Sequence, residues 1–223
     1  MTVPFVDLSH VICDGLVTYP GIAPPRIGAE LTREASRARY APGTEFHIGR
    51  IEMSTNTGTY LDTPIHRFAD GFDLAALPLD SVADLPGVVV DAPGGSRAIE
   101  PAQLPAAEEL AGRAVLLRTG WSRHFGTPAY AVGHPFLSAA AAARLVEAGA
   151  ALVGIDSLNV DDIAGGERPV HTALLAARIP IVEHLTGLEQ LPRSGFRFFA
   201  VPVKVRGLGS FPVRAFASLG ARD

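Results

Sequence analysis

Between Gly87 and Val203, short apolar, β-branched runs alternate with helix-like stretches, and this restricts the fold more than any other feature of the chain. A chain that is apolar for four to six residues, then amphipathic, then apolar again has the pattern of strands layered against helices. Candidate strands are Val88 to Asp91, Ala114 to Arg118, Ala151 to Asp156, Ile179 to Glu183 and Phe196 to Val203. Ala139 to Ala148 is predicted to be a helix, because Ser138 can accept from its first free amides and Gly149 can take the left-handed closing position. The first 85 residues read differently. Short strand candidates at Phe5 to Leu8 and Phe46 to Ser54 sit there among Pro- and Gly-rich loops such as Tyr19-Pro20-Gly21. No repeat, low-complexity tract or polar linker separates the two regions, so the expected organisation is a single α/β domain over residues 1–223 with a loop-rich N-terminal part.

Composition narrows the function classes. With 48% hydrophobic and 19% charged residues, the chain has ample material for a core and no signature of disorder. A net charge of -4 without any clustered Lys/Arg run excludes the electrostatic footprint of a nucleic-acid binder or an anionic-membrane binder, leaving a small molecule as the expected partner. The one cysteine, Cys13, cannot form an internal disulfide. The N-terminal residues lack a basic segment followed by an apolar run, and no stretch approaches the roughly 20 apolar residues that span a bilayer. A cytoplasmic protein is the expectation.

The most unusual stretch runs from Asn56 to His66, where polar side chains crowd between an apolar strand candidate and Pro64. It reads as a loop, and two readings are open. Asn, Asp and Thr there could merely satisfy local backbone groups, or the loop could carry function, with Gly58 permitting close approach of the backbone to a ligand or metal.

In register, this stretch resembles the cyclase family, which includes bacterial kynurenine formamidase and isatin hydrolase and carries the motif His-x-Gly-Thr-His-x-Asp-x-Pro-x-His. Gly58, Thr59, Asp62, Pro64 and His66 stand at motif positions, whereas Asn56 and Tyr60 replace the first two histidines. The resemblance extends to Asp7-Leu8-Ser9, Tyr19-Pro20-Gly21, Arg118 to Trp121, Gly154 to Ser157, His171, Ile179 to Glu183, Lys204 to Arg206 and Pro212 to Ala215. It implies a swivelling β/β/α fold, assembled as a homodimer or homotetramer, and a hydrolase acting on an amide, formamide, lactam or lactone. It also implies roles: Asp62, His171 and Glu183 as metal ligands, and His66 as the acid/base.

The two departures bear on mechanism. Losing two imidazoles leaves one nitrogen and two carboxylates, with the Asn56 amide oxygen as a weak further ligand. The expectation is therefore one divalent ion, Mn²⁺ or Zn²⁺, or none. Tyr60 is a poor ligand while neutral, but its hydroxyl, like the Asn56 amide, can donate to a developing oxyanion. A metal-independent acid/base enzyme using His66, such as a lyase, dehydratase or isomerase, is the alternative reaction class, and a non-catalytic binding protein is a third reading. Tyr19, His47 and Phe68 are candidate pocket walls, His47 because it shares a strand face with Glu45. His10, His124, His134 and His184 read as structural or surface residues.

Overall fold

The computed structural model describes residues 4–92, 94 and 96–220. Among these residues nine strands form one sheet, in the spatial order Phe5–Asp7, Phe216–Ser218, Ser194–Phe199, Leu85–Asp91, Ala114–Arg118, Leu152–Ile155, Ile181–Glu183, Tyr60–Asp62, Ser210–Pro212. The four strands from Leu85–Asp91 to Ile181–Glu183 are parallel, and the remaining pairings are antiparallel. The architecture is mixed α/β, as the alternation of apolar runs and helical stretches predicts.

The parallel strands are apolar up to their last residues because both of their faces are covered. Val88, Val90, Val115, Leu117, Val153 and Ile155 pack on one side, with Leu145 and Leu174 from the Ala139–Glu147 and Pro169–Ala176 helices. Val89, Leu116, Leu152 and Val182 point the other way, against Leu8, Leu61, Phe196 and Phe198. Truncating a fully buried contact such as Leu145 to Ala would cost about 2–5 kcal/mol. The Ala139–Glu147 helix is capped as expected: Ser138 Oγ accepts from the Ala141 amide at 3.1 Å, and Gly149 adopts φ 72°.

The structure departs from expectation in three places. The Asn56 to His66 stretch is not all loop, since Tyr60–Asp62 is a fully buried strand inside the sheet. Three residues between polar neighbours are too few to show a strand period. The last long strand stops at Phe199 rather than reaching Val203; Pro202, which cannot donate to a ladder, follows closely. Finally, Ile48–Glu52 pairs with Arg26–Leu31 in a separate two-stranded ribbon whose residues are almost all exposed, so no apolar/polar alternation marked the first of these strands. No helix among the described residues is long and apolar enough to cross a membrane.

Candidate active site

Strand register builds the site. Tyr60 lies opposite Glu183 on one neighbouring strand, and Asp62 lies opposite Ser210 on the other. Side chains two residues apart share a sheet face, so Tyr60, Asp62, Glu183 and Ser210 converge. The Tyr60 hydroxyl donates to Glu183 Oε2 at 2.5 Å, while Glu183 Oε1 accepts the Val160 amide at 2.7 Å. Asn159 Nδ2 reaches the same carboxylate at 3.4 Å.

His171 comes from the Pro169–Ala176 helix and is held by Asp161. That carboxylate accepts the amides of Val170 and His171 at 2.7 and 3.0 Å, and meets His171 Nδ1 at 2.6 Å. The carboxylate thus fixes Nδ1 as the protonated nitrogen and turns Nε2 toward Asp62 Oδ2 (3.8 Å) and Glu183 Oε1 (3.7 Å). The Pro169–Ala176 helix and the returning Ile181–Glu183 strand thus bring Glu183 level with His171.

His66 closes the short Pro64–His66 turn and sits beside Ser210. The Ser210 hydroxyl donates to Asp62 Oδ1 and lies 3.0 Å from His66 Nδ1. With its only proton committed to Asp62, Ser210 offers His66 a lone pair. His66 therefore carries its proton on Nδ1 and leaves Nε2 as a base. Gly209 makes the approach possible, since a Cβ there would stand 2.7 Å from the His66 amide nitrogen.

Electrostatically the cluster calls for positive charge. Burial by itself lowers the His171 pKa, but the hydrogen bond to Asp161 and the nearby carboxylates of Asp62 and Glu183 outweigh it, raising the value to about 10. Burial pushes Glu183 above the usual carboxylate range, against the pull of the His171 charge. Asp62 is fully buried, and its Oδ2 has no hydrogen-bond partner among the described residues. Atoms of Asp62, His66 and His171 lie within 4.8 Å of one another, a spacing that suits a single cation. One imidazole nitrogen beside an unpartnered carboxylate oxygen fits a divalent ion.

These groups open into a cavity of about 360 Å³ lined by Tyr19, Ile22, Asn56, Tyr60, His66, Arg67, Asn159, Arg168 and His171. Tyr19 is thus a wall, as expected, but two other expected walls stand elsewhere. His47 is exposed ahead of the Ile48–Glu52 ribbon strand, and Phe68 faces a different cavity beside Pro64 and Leu175 while packing on the core. Tyr60 also differs from expectation. Its pKa is raised well above the usual value by burial first, then by Glu183 and Asp62, so it stays a neutral phenol whose proton is given to Glu183 rather than to an oxyanion.

The family model for cyclases, described as "Putative cyclase", matches residues 6–162. The chain belongs to the cyclase family. The chain is 28% identical to the kynurenine formamidase of Salinibacter ruber (strain DSM 13855 / M31) over 212 residues, covering 94% of this chain and 95% of that protein. Its fold matches that of isatin hydrolase A from Ralstonia solanacearum with a TM-score of 0.82 at 24% identity, over 98% of this chain and 92% of that one. A structure described as a potential metal-dependent hydrolase with cyclase activity matches with a TM-score of 0.80 at 23% identity, over 99% and 100% of the two chains. Ser210 and Asp161 escape sequence reading because each acts through a histidine, that of Ser210 lying 144 residues away and that of Asp161 ten. Of the two, only Asp161 left a trace, as an acid shortly before a Pro-initiated helix.

Proposed function

We propose that this protein hydrolyses a C–N or C–O bond at a carbonyl of a small molecule, in the class of amides, formamides, lactams and lactones. The observation that carries the reading is the His66–Ser210–Asp62 chain beside His171 and Glu183, with His66 and His171 lining the cavity and the acids buried behind them. The names of the relatives point the same way. His66 Nε2 takes a proton from the attacking water, with Nδ1 steadied by Ser210, and returns it to the leaving nitrogen or oxygen. Asn56 accepts from Thr55 Oγ1 through its Oδ1 at 3.2 Å and keeps its amide protons on the Tyr60 side, where they can meet the carbonyl oxygen as charge develops. Tyr60 orients Glu183. Asp62, His171 and Glu183 would hold one divalent ion, Mn²⁺ or Zn²⁺, which when bound polarises a carbonyl and lowers the pKa of water. The metal-independent alternative rests on the same His66, since both Glu183 oxygens already accept hydrogen bonds.

The test is turnover of formanilide, isatin and an aryl lactone by protein purified without chelator, then with Mn²⁺ or Zn²⁺ added and after chelation. Hydrolysis that chelation removes and the ion restores supports the reading. Turnover indifferent to chelation selects the metal-independent alternative, and ligand binding without turnover the non-catalytic one.

We further infer a homodimer or homotetramer. Ile27, Ile48 and Ile51 on the two-stranded ribbon are each about half exposed, and an isolated ribbon gains stability when its apolar residues are covered. A light-scattering mass of one chain at micromolar concentration, with activity intact, would refute this. Cytoplasmic residence agrees with an exposed free Cys13, and cell fractionation tests it.

A further inference from the structure

Two guanidinium groups on the rim of the cavity have no carboxylate partner among the described residues. Arg67 follows His66 directly; its Nε donates to Thr172 Oγ1 at 3.2 Å, and its guanidinium carbon stands 5.3 Å from the Phe68 ring centroid. Thr172 in turn donates to the Arg168 carbonyl at 2.7 Å, so one hydroxyl ties the two arginines together. Arg168 is held by its own fork: Nη1 donates to the carbonyls of Gly165 (2.8 Å), Glu167 (2.7 Å) and Asp162 (3.4 Å). Every acceptor these two side chains use is neutral. Other arginines pair with acids, Arg97 with Asp162, Arg118 with Asp91 and Arg214 with Asp7, and those that bond only carbonyl groups, Arg123 and Arg144, lie outside this cavity.

An arginine is charged at any working pH, and two like charges fixed on one rim repel unless an anion is shared between them. Both are tethered on one side, which cuts the ordering cost of binding and leaves Nη1 and Nη2 of Arg67 and Nη2 of Arg168 uncommitted. That is the donor pattern that grips a carboxylate. Both arginines line the same cavity as His66 and His171, so a molecule bound in it can meet the guanidinium groups and the base together. A cavity of this size suits a small-molecule ligand.

We propose that the substrate carries a carboxylate of its own, bound by Arg67 and Arg168 while its amide, formamide or ring carbonyl lies beside His66. The proposal rests on the hydrolase reading for the reacting end only; the anion site stands on the arginines.

The experiment compares N-formylanthranilate with N-formylanthranilamide, which differ in whether the ring substituent is charged. Calorimetric binding and kcat/KM are measured on the wild-type protein, R67Q, R168Q and the double variant. R193Q serves as a charge control, because Arg193 is exposed, pairs with Glu109 and lies outside this cavity. The carboxylate should bind at least about 10-fold tighter than the carboxamide, in keeping with paired charge-assisted hydrogen bonds. Each substitution should cut that preference several-fold, the double variant should erase it, and R193Q should keep it. Equal affinities, no binding of either compound, or a preference that survives in the double variant would overturn the proposal. A preference in binding without turnover of either compound would leave the anion site standing and sink the hydrolase reading instead. Equal turnover of both, with equal affinity, would do the reverse.

Discussion

Ser210→Ala is the perturbation whose consequences the structure fixes most closely. Asp62 has 0% of its surface exposed, its Oδ1 accepts from Ser210, and its Oδ2 has no partner among the described residues. Removing the hydroxyl leaves a buried acid without its side-chain donor, a loss of about 1.5–3 kcal/mol for a hydrogen bond to a charged group. His66, by contrast, is partly exposed and can replace Ser210 with water, so it adds little to that cost. For a chain of this size the melting temperature should fall by roughly 3–12 °C in chelator-treated protein. Saturating Mn²⁺ should recover part of the loss, because a cation on Asp62 supplies the missing positive partner. Activity should fall about 10- to 100-fold, the usual effect of removing a group that orients a reacting histidine. A structural role alone would not move the tautomer of His66, which nitrogen-15 spectra read directly. The wild-type ring should carry its proton on Nδ1, and Ser210→Ala should shift population toward Nε2, with Ser210→Thr restoring the original tautomer. An unchanged tautomer with unchanged stability would refute the Asp62–Ser210–His66 chain as described.

His66→Ala should lower turnover by about 10²-fold with little change in melting temperature, and a folded variant with full activity would remove His66 from the mechanism. Asn56→His with Tyr60→His should raise zinc affinity at least about 10-fold in calorimetric titration, since it adds two imidazoles beside Asp62 and Glu183. Tight stoichiometric zinc binding by the unmodified protein would show that these two residues do not weaken the site. His184 is buried, with its Nδ1 3.0 Å from the Tyr130 hydroxyl, and burial lowers its pKa from 6.5 to about 3. The unfolded chain therefore takes this proton first as pH falls: the stability is whole above about pH 6.5 and about 2 kcal/mol is lost by about pH 5. In denaturant titrations His184→Gln should flatten that slope, and parallel curves for the two proteins would contradict the assignment.

How much of this was legible depended on whether a residue acts locally. The parallel strands and the Ala139–Glu147 helix were readable because burial on both faces and capping leave marks within a few residues. The order of the motifs was readable too, and the structure explains why they occur together. Asp156 accepts from the amides of Thr119 and Gly120, at 2.8 Å each, and Arg214 Nη2 reaches Asp7 at 2.8 Å. Asp62, His171 and His66 could be named from the resemblance, but Ser210, Asp161 and Arg168 could not. Ser210 meets Asp62 across 148 residues through strand register, which no local pattern encodes, whereas Asp161 and Arg168 lie within ten residues of their partners but stand in no motif that marks them as site residues. His47 misled because the strand begins only at Ile48, leaving His47 and Glu45 in the exposed approach to a ribbon that stands outside the main sheet.

The two departures from the motif make sense together once Tyr60 is seen opposite Glu183. An imidazole at position 60 would turn a lone pair toward the cluster and would need a cation to satisfy both itself and the carboxylate. A phenol turns a proton instead, and Glu183 then has donors in Tyr60 and the Val160 amide, with Asn159 close by. The lone pairs of Glu183 are met by neutral hydrogen bonds on this side of the site. On the other side, Asp62 Oδ2 and His171 Nε2 still face one another at 3.8 Å with Oδ2 unpartnered, so the demand for positive charge is concentrated there. Asn56 belongs to the same change: beside a phenol it hydrogen-bonds to a neutral hydroxyl, whereas a histidine in its place would have had no second imidazole with which to share an ion. Restoring either histidine alone should therefore do less for zinc affinity than restoring both, because Tyr60→His without Asn56→His breaks the Tyr60–Glu183 bond while completing only part of a ligand set.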